Sequence, residues 1–190
     1  PVVIAHNGNL VNFESLKEEL VASGVTFHMS SDTETIAQLI KVNSKNQKDL
    51  EKNILETVQK IQGAYSLVLM TPDKLIGLRD PHGVRPLCIV QHEQSFVISS
   101  ERAALDIIGS EFLREISRGE MVVVDSKGLR STMTATKERS ATCVFEHIYF
   151  ARPDSNLNSR NVYDFRVRLG EQLAKEHPID ADLVIAVPDS

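Results

Sequence analysis

The hydrophobic period of this chain changes near residue 63, and that change narrows the folds open to it. Up to that point apolar residues recur at helical spacing. Phe13, Leu16, Leu20 and Val21 share one face of a helix expected over Phe13–Ser23, with Asn12 as its cap and Gly24 past its end. Ser31-Asp32-Thr33-Glu34 is a capping box, with Ser31 as cap and Glu34 reaching back, and the helix behind it buries Ile36, Leu39 and Ile40. A third helix is expected from about Asp49 to Gln62, with Leu50, Ile54, Val58 and Ile61 inward and Gly63 as the stop. Beyond it lie the short apolar runs Ala64–Met70, Leu75–Arg79, Val84–Val90 and Phe96–Ser100, separated by turn compositions such as Thr71-Pro72-Asp73-Lys74 and Asp80-Pro81-His82-Gly83. Short alternating runs with Gly, Pro and Asp between them predict an antiparallel meander. A short helix over Glu101–Ile108 interrupts it, Met121–Val124 resumes it with Ser126-Lys127-Gly128 as a turn, and Cys143–Phe150 is expected to be one more strand.

From Arg152 to Asn161 the chain turns polar and reads as a linker. A helix over Val162–Glu176 and a strand over Leu183–Val187 follow, in the style of an α/β domain with a parallel sheet. The chain opens on Pro1-Val2-Val3-Ile4, a strand already under way, and closes just after another, so it reads as a piece of a longer protein. A hydrophobic content of 42% predicts an ordinary globular core, and a net charge of −5 without a basic cluster argues against nucleic-acid binding. Apolar runs such as Leu67-Val68-Leu69-Met70 are too short to span a bilayer, and two cysteines make no disulfide framework. A cytoplasmic protein is expected.

The residues that carry chemistry cluster early. In Ala5-His6-Asn7-Gly8-Asn9-Leu10-Val11 the Asn-Gly pair follows an apolar strand. It is either a hairpin turn, for which Asn-Gly is a strong signal, or a pair of donors. The Asn7 side-chain amide and the Gly8 backbone N–H can aim at one point, as a tetrahedral oxyanion requires. Asp32 stands in the first turn of a helix, either as a charge that the helix dipole favours or as an acceptor for a substrate ammonium group. Cys88 reads as a small core residue, whereas Cys143 is core or a ligand of a metal cluster whose other ligands lie outside this chain. The six histidines lack metal-ligand spacing, and no Cys-His pair or Gly-x-Ser-x-Gly elbow is present. Arg79-Asp80-Pro81-His82-Gly83-Val84-Arg85-Pro86-Leu87 reads as a rigid turn with a local ion pair, able to support a neighbouring site.

Four stretches, Ala5–Leu10, Ser30–Glu34, Arg79–Leu87 and Cys143–Ser155, together resemble the amidophosphoribosyltransferases. Tyr149-Phe150-Ala151-Arg152-Pro153-Asp154-Ser155 is the most specific of the matches. Asparagine synthetases share the Arg-Asp-Pro-x-Gly-x-Arg-Pro-Leu pattern but read Asn-Gly-Glu-Ile-Tyr-Asn where this chain has Asn7–Asn12, and glucosamine-6-phosphate synthases read His-Asn-Gly-Ile-Ile-Glu-Asn. Both remain the alternatives, with a non-catalytic domain of the same fold as a third. The resemblance implies an α+β fold: a four-layer αββα glutaminase domain of the N-terminal-nucleophile class with antiparallel sheets, over residues 1–151. A linker over 152–161 and the first helix and strand of an α/β phosphoribosyltransferase domain over 162–190 would follow. It implies that Asn7 and Gly8 form the oxyanion hole, that Asp32 binds the α-amino group of glutamine, and that Cys143 matches an iron–sulfur ligand of one branch. It further implies glutamine and phosphoribosyl pyrophosphate as substrates, Mg²⁺ in the intact transferase domain, a [4Fe–4S] cluster in some members, and a homo-oligomer. The family's nucleophile, a cysteine at the mature N-terminus, has no counterpart here, so the 190-residue piece is expected to be inactive alone.

Overall fold

In the computed structural model, which describes residues 1–45, 49–135 and 138–187, the first strand does not stop at Asn7-Gly8. Strand β1 runs Val3–Leu10 and pairs antiparallel, residue for residue, with β2 (Gly63–Met70); Asn7 faces Ser66 and Gly8 faces Tyr65. That register excludes the hairpin-turn reading of Asn-Gly. Three helices lie between the two strands: α1 (Phe13–Ala22), α2 (Asp32–Asn43) and α3 (Leu50–Val58). The meander then adds β3 (Leu75–Arg79), β4 (Cys88–His92), β5 (Ser95–Ser99), the short α4 (Ala103–Asp106), β6 (Glu111–Glu115), β7 (Glu120–Asp125) and β8 (Gly128–Met133).

These strands form two antiparallel sheets, one ordered β1-β2-β3-β7-β8 and the other β5-β4-β6. Alternation along the strands assigns each face to a different core. Leu67, Leu69, Ile76, Leu78, Met121 and Val123 turn toward Leu16, Leu20, Ile36 and Leu39 of the helices. The residues between them, such as Val68, Val122 and Val124, meet Ile89, Phe96, Ile98 and Ile116 from the smaller sheet. Cys88, Val90, Val97 and Phe112 point out of the far side of that sheet, onto Leu105 of α4. Three apolar interfaces therefore separate four layers, helix, sheet, sheet, helix, as the αββα expectation requires.

The capping details differ from the sequence reading. Ser31 does cap α2, its Oγ accepting from the Glu34 N–H at 3.3 Å. The Glu34 carboxylate does not return to Ser31; it accepts from the N–H groups of His28 and Met29 at 2.9 and 2.6 Å and ties down the approach to the helix. Asn12 makes no side-chain cap on α1. Its amide instead clamps the turn before β2, donating to the Lys60 carbonyl and accepting from the Gln62 N–H, both at 2.9 Å. Strand β4 begins only at Cys88, because residues 84–87 belong to the Asp80 corner, and α3 and α4 are both shorter than expected.

Two expected strands are absent. Over Cys143–Phe150 the Cys143 N–H joins the Val84 carbonyl at 3.0 Å, and the chain then coils into a π-helical turn over Glu146–Phe150. The β-branched and aromatic residues there suggested a strand, but such preferences yield to context. Here an Arg85–Glu146 ion pair at 2.7 Å and bonds from Arg166 to the carbonyls of His147 and Ala151, both at 2.8 Å, hold the coil. Leu183–Val187 joins no sheet among the described residues, and a strand needs a neighbouring strand to complete its ladder. The expected polar linker folds into a two-residue ladder of β9 (Asn156–Leu157) with β10 (Arg160–Asn161), sealed by Ala151, Leu157 and Val162. Helix α5 (Val162–Glu176) then runs over the span expected for it. The Pro188-Asp189-Ser190 end lies outside the described residues.

Candidate active site

Strand β1 is the outermost of its sheet, so one side of its backbone meets no strand among the described residues. Backbone groups of an antiparallel strand point alternately to its two neighbours. The Val11 N–H donates inward, to the Gln62 carbonyl at 2.9 Å, whereas the Leu10 N–H donates outward, to Asp32 Oδ2 at 3.0 Å. Gly8 is two residues before Leu10, so its N–H faces the same open edge. The Asp32 carboxylate and the Gly8 donor thus share one side of one strand.

Residue 8 has to be glycine. Its φ is +153°, and a Cβ built there would sit 2.1 Å from the Ala64 carbonyl oxygen on β2. No side chain fits at that distance without parting β1 from β2. The missing side chain also leaves room for the ring of His6, whose Nε2 would lie 2.9 Å from the same Cβ.

Asp32 is held at the start of α2, where the helix dipole favours a carboxylate. Its Oδ1 lies 3.4 Å from His6 Nδ1 and accepts from Thr33 Oγ1 at 3.5 Å. His6 Nδ1 also lies 3.3 Å from Thr33 Oγ1. The His6 side chain is only 2% exposed, against 17% for Asp32, so the carboxylate has an open side and the imidazole does not. Glu34 behind them is held below its ordinary value, chiefly by the His28 N–H and further by Met29 and Gln38, against an opposing effect of burial.

The Asn7 side chain leaves β1 on the opposite face, toward the smaller sheet. Its Nδ2 donates to Ser100 Oγ at 3.4 Å, just past the end of β5. Of the residues expected to form the site, Asn7, Gly8 and Asp32 therefore gather at one stretch of β1, and Cys143 does not join them. Cys143 is fastened to the Asp80 corner through Val84. Cys88 is buried against Val90 and Leu105, and that burial pushes its thiol up to about 11. Among the described residues no group of three or more His, Cys, Asp or Glu side chains is arranged to hold a metal ion. Cys88 is sealed and Cys143 partly accessible, so a cluster at Cys143 would draw its other ligands from outside the described residues, as four such ligands are commonly needed.

Sequence reading passed over His6 and Ser100. The first was set aside with the other histidines for lack of metal spacing, although its place beside Asn7 was the available signal. The second follows from a contact 93 residues away in sequence, which no local pattern encodes.

A model of the glutamine amidotransferase domain matches residues 1–107. The amidophosphoribosyltransferase of Synechocystis sp. is 46% identical over the whole chain, and that of Archaeoglobus fulgidus is 40% identical, again over the whole chain. The chain spans only 39% and 41% of the length of these two relatives. Among solved structures, the glutamine phosphoribosylpyrophosphate amidotransferase of Bacillus subtilis, complexed with ADP and GMP, superposes with a TM-score of 0.94 at 40% identity, over all of this chain and 41% of that one. A class-II glutamine aminotransferase domain protein from Silicibacter pomeroyi, at 15% identity and a TM-score of 0.53, shares the fold over 70% of this chain. With its four layers, its β1 edge and a domain match over more than half its length, this chain belongs to the glutamine amidotransferase domain family.

Proposed function

We propose that the intact protein is an amidophosphoribosyltransferase, in which this region releases ammonia from glutamine for transfer to phosphoribosyl pyrophosphate. The observation that carries the reading is the open edge of β1, where the Gly8 N–H and the Asp32 carboxylate lie together with Asn7 alongside. Asp32 would receive the α-ammonium group of glutamine. A nucleophile attacking the side-chain amide would push charge onto its oxygen. The Gly8 N–H and the remaining Asn7 N–H would receive that oxyanion, each such donor being worth about 100- to 1000-fold in rate. Cys88 is buried against Val90 and Leu105 and the Cys143 backbone joins Val84 rather than β1, in keeping with a nucleophile supplied by residues other than these.

Collapse of the adduct breaks the C–N bond and frees ammonia, water then hydrolyses the acyl–nucleophile bond to release glutamate, and the ammonia displaces pyrophosphate from phosphoribosyl pyrophosphate, giving 5-phosphoribosylamine. Mg²⁺ would accompany the pyrophosphate at residues beyond this chain, and no step is assigned to an iron–sulfur cluster. A cytoplasmic setting and a homo-oligomeric assembly belong to the same proposal. Two free thiols support the first, and for the described residues no helix is long and apolar enough to cross a membrane.

The test is an assay of the intact protein with glutamine, phosphoribosyl pyrophosphate and Mg²⁺. Glutamate and pyrophosphate released in equal amounts are expected. Glutamate release that depends instead on aspartate with ATP, or on fructose 6-phosphate, would replace this reading with another amidotransferase.

A further inference from the structure

We infer that Ser100 is a positioning residue for the oxyanion hole, fixing the carboxamide of Asn7; the inference rests on the function proposed above. A primary amide carries two N–H donors in one plane, about 120° apart. Left alone, the Asn7 amide can turn about its terminal torsion, which has broad wells, and would sweep both donors through a range of directions. Donation from Asn7 Nδ2 to Ser100 Oγ, 3.4 Å away, commits one donor and so sets the plane and direction of the other. A donor fixed before the reaction costs no reorganisation when charge develops, which is the source of its effect.

Ser100 is itself well placed to act as an anchor. It follows β5, whose register with β4 is regular from Cys88–Ser99 to His92–Ser95, so its backbone is carried by a sheet rather than a loose loop. On its other side Glu101 is held at both ends: its N–H donates to Ser99 Oγ at 3.3 Å, and its carboxylate accepts from Ser155 Oγ at 3.3 Å. The same carboxylate accepts from the Arg152 N–H at 3.4 Å. Ser155 is buried, and its carbonyl accepts from the Val162 N–H at 3.0 Å, at the start of α5. The Arg152-Pro153-Asp154-Ser155 stretch singled out in the sequence therefore holds the residue next to Ser100 in place.

The test uses the intact protein and four variants: Asn7→Ala, Ser100→Ala, Ser100→Thr and the Asn7→Ala/Ser100→Ala pair. Ser100→Ala is expected to lower kcat for glutamine about three- to thirtyfold, less than loss of the Asn7 donor itself, with KM for glutamine little changed. Ser100→Thr, which keeps the hydroxyl, restores most of that loss. Phosphoribosylamine formation from added ammonia stays level in all four and reports that each variant is folded. In the Asn7→Ala background, Ser100→Ala has no further effect, because Ser100 acts through Asn7. An unchanged kcat in Ser100→Ala, a rise in KM alone, or an equal loss in both backgrounds overturns the positioning role while leaving the proposed function standing. An Asn7→Ala variant with full glutamine-dependent turnover overturns both.

Discussion

Two aspartates, Asp80 and Asp32, sit in motifs of comparable density and end up doing opposite things. Asp80 is wholly buried, and its two oxygens accept from four backbone N–H groups: His82 and Gly83 on Oδ1, Val84 and Tyr65 on Oδ2, at 2.8–3.4 Å. A carboxylate has about four acceptor sites, so Asp80 is saturated by the chain itself. Around it the buried Arg79 guanidinium donates to the carbonyls of Arg85, Ile116 and Gly83 at 2.8–3.1 Å. Gly83 closes the turn at φ +66°, where an added Cβ would sit 2.5 Å from Arg118 Cγ. Asp32 accepts one backbone N–H, lies beside His6 and Thr33, and keeps an open side. Saturation marks a carboxylate that builds the fold, and spare acceptor capacity at an open strand edge marks one that can bind something else.

That contrast can be broken in order of size. Asp80→Ala leaves four backbone N–H groups without their acceptor, those of Tyr65 and Gly83 buried, and is expected to cost at least about 3 kcal/mol of stability, read as a fall in the denaturant midpoint. Asp32→Asn is expected to leave the melting temperature within a few degrees while raising KM for glutamine about ten- to a hundredfold, the effect of losing one charge-assisted hydrogen bond. If Asp32→Asn destabilises as strongly as Asp80→Ala, the distinction between the two acids fails.

Glu34 gives a smaller, pH-dependent effect. Its folded-state value lies below the ordinary 4.5, chiefly through the His28 N–H, so it contributes stability above that value and loses it as pH falls through the folded value. Glu34→Gln should lower the melting temperature near neutrality and flatten its decline below about pH 4.5. Melting curves that stay parallel to those of the parent protein across that range would show that the Glu34 charge contributes nothing.

The three helices and the antiparallel meander were legible because each rests on local periodicity, helical spacing in residues 13–62 and strand alternation afterwards, with turns between, whereas the four-layer stacking was implied only by the family resemblance. The position of Asp32 was legible for the same reason, since the capping box marks the helix start, but its binding role was implied only by the resemblance. What escaped was set by distant partners. Asn12 looked like a cap but serves a turn 48 residues away, and Glu34 prefers the N–H groups of His28 and Met29 to that of Ser31. The strand predicted over Cys143–Phe150 became a π-helical turn because Arg85, 61 residues earlier, captures Glu146. Strand β6, whose Glu111-Phe112-Leu113-Arg114-Glu115 carries charge on three of five positions, gave little apolar signal and owes its existence to the edge of β4. Asn7-Gly8 was the hardest case. Its dipeptide chemistry suits a turn, and only the register with Ser66 and Tyr65 shows a strand passing straight through it.

Under the proposed function, glutamine is opened at the outer edge of β1. The ratio of glutamine-dependent to ammonia-dependent product formation in an Asn7→Ala variant of the intact protein tests it most directly. The ratio is predicted to fall about 100-fold or more, with the ammonia rate unchanged. A ratio equal to that of the parent protein would contradict the claim.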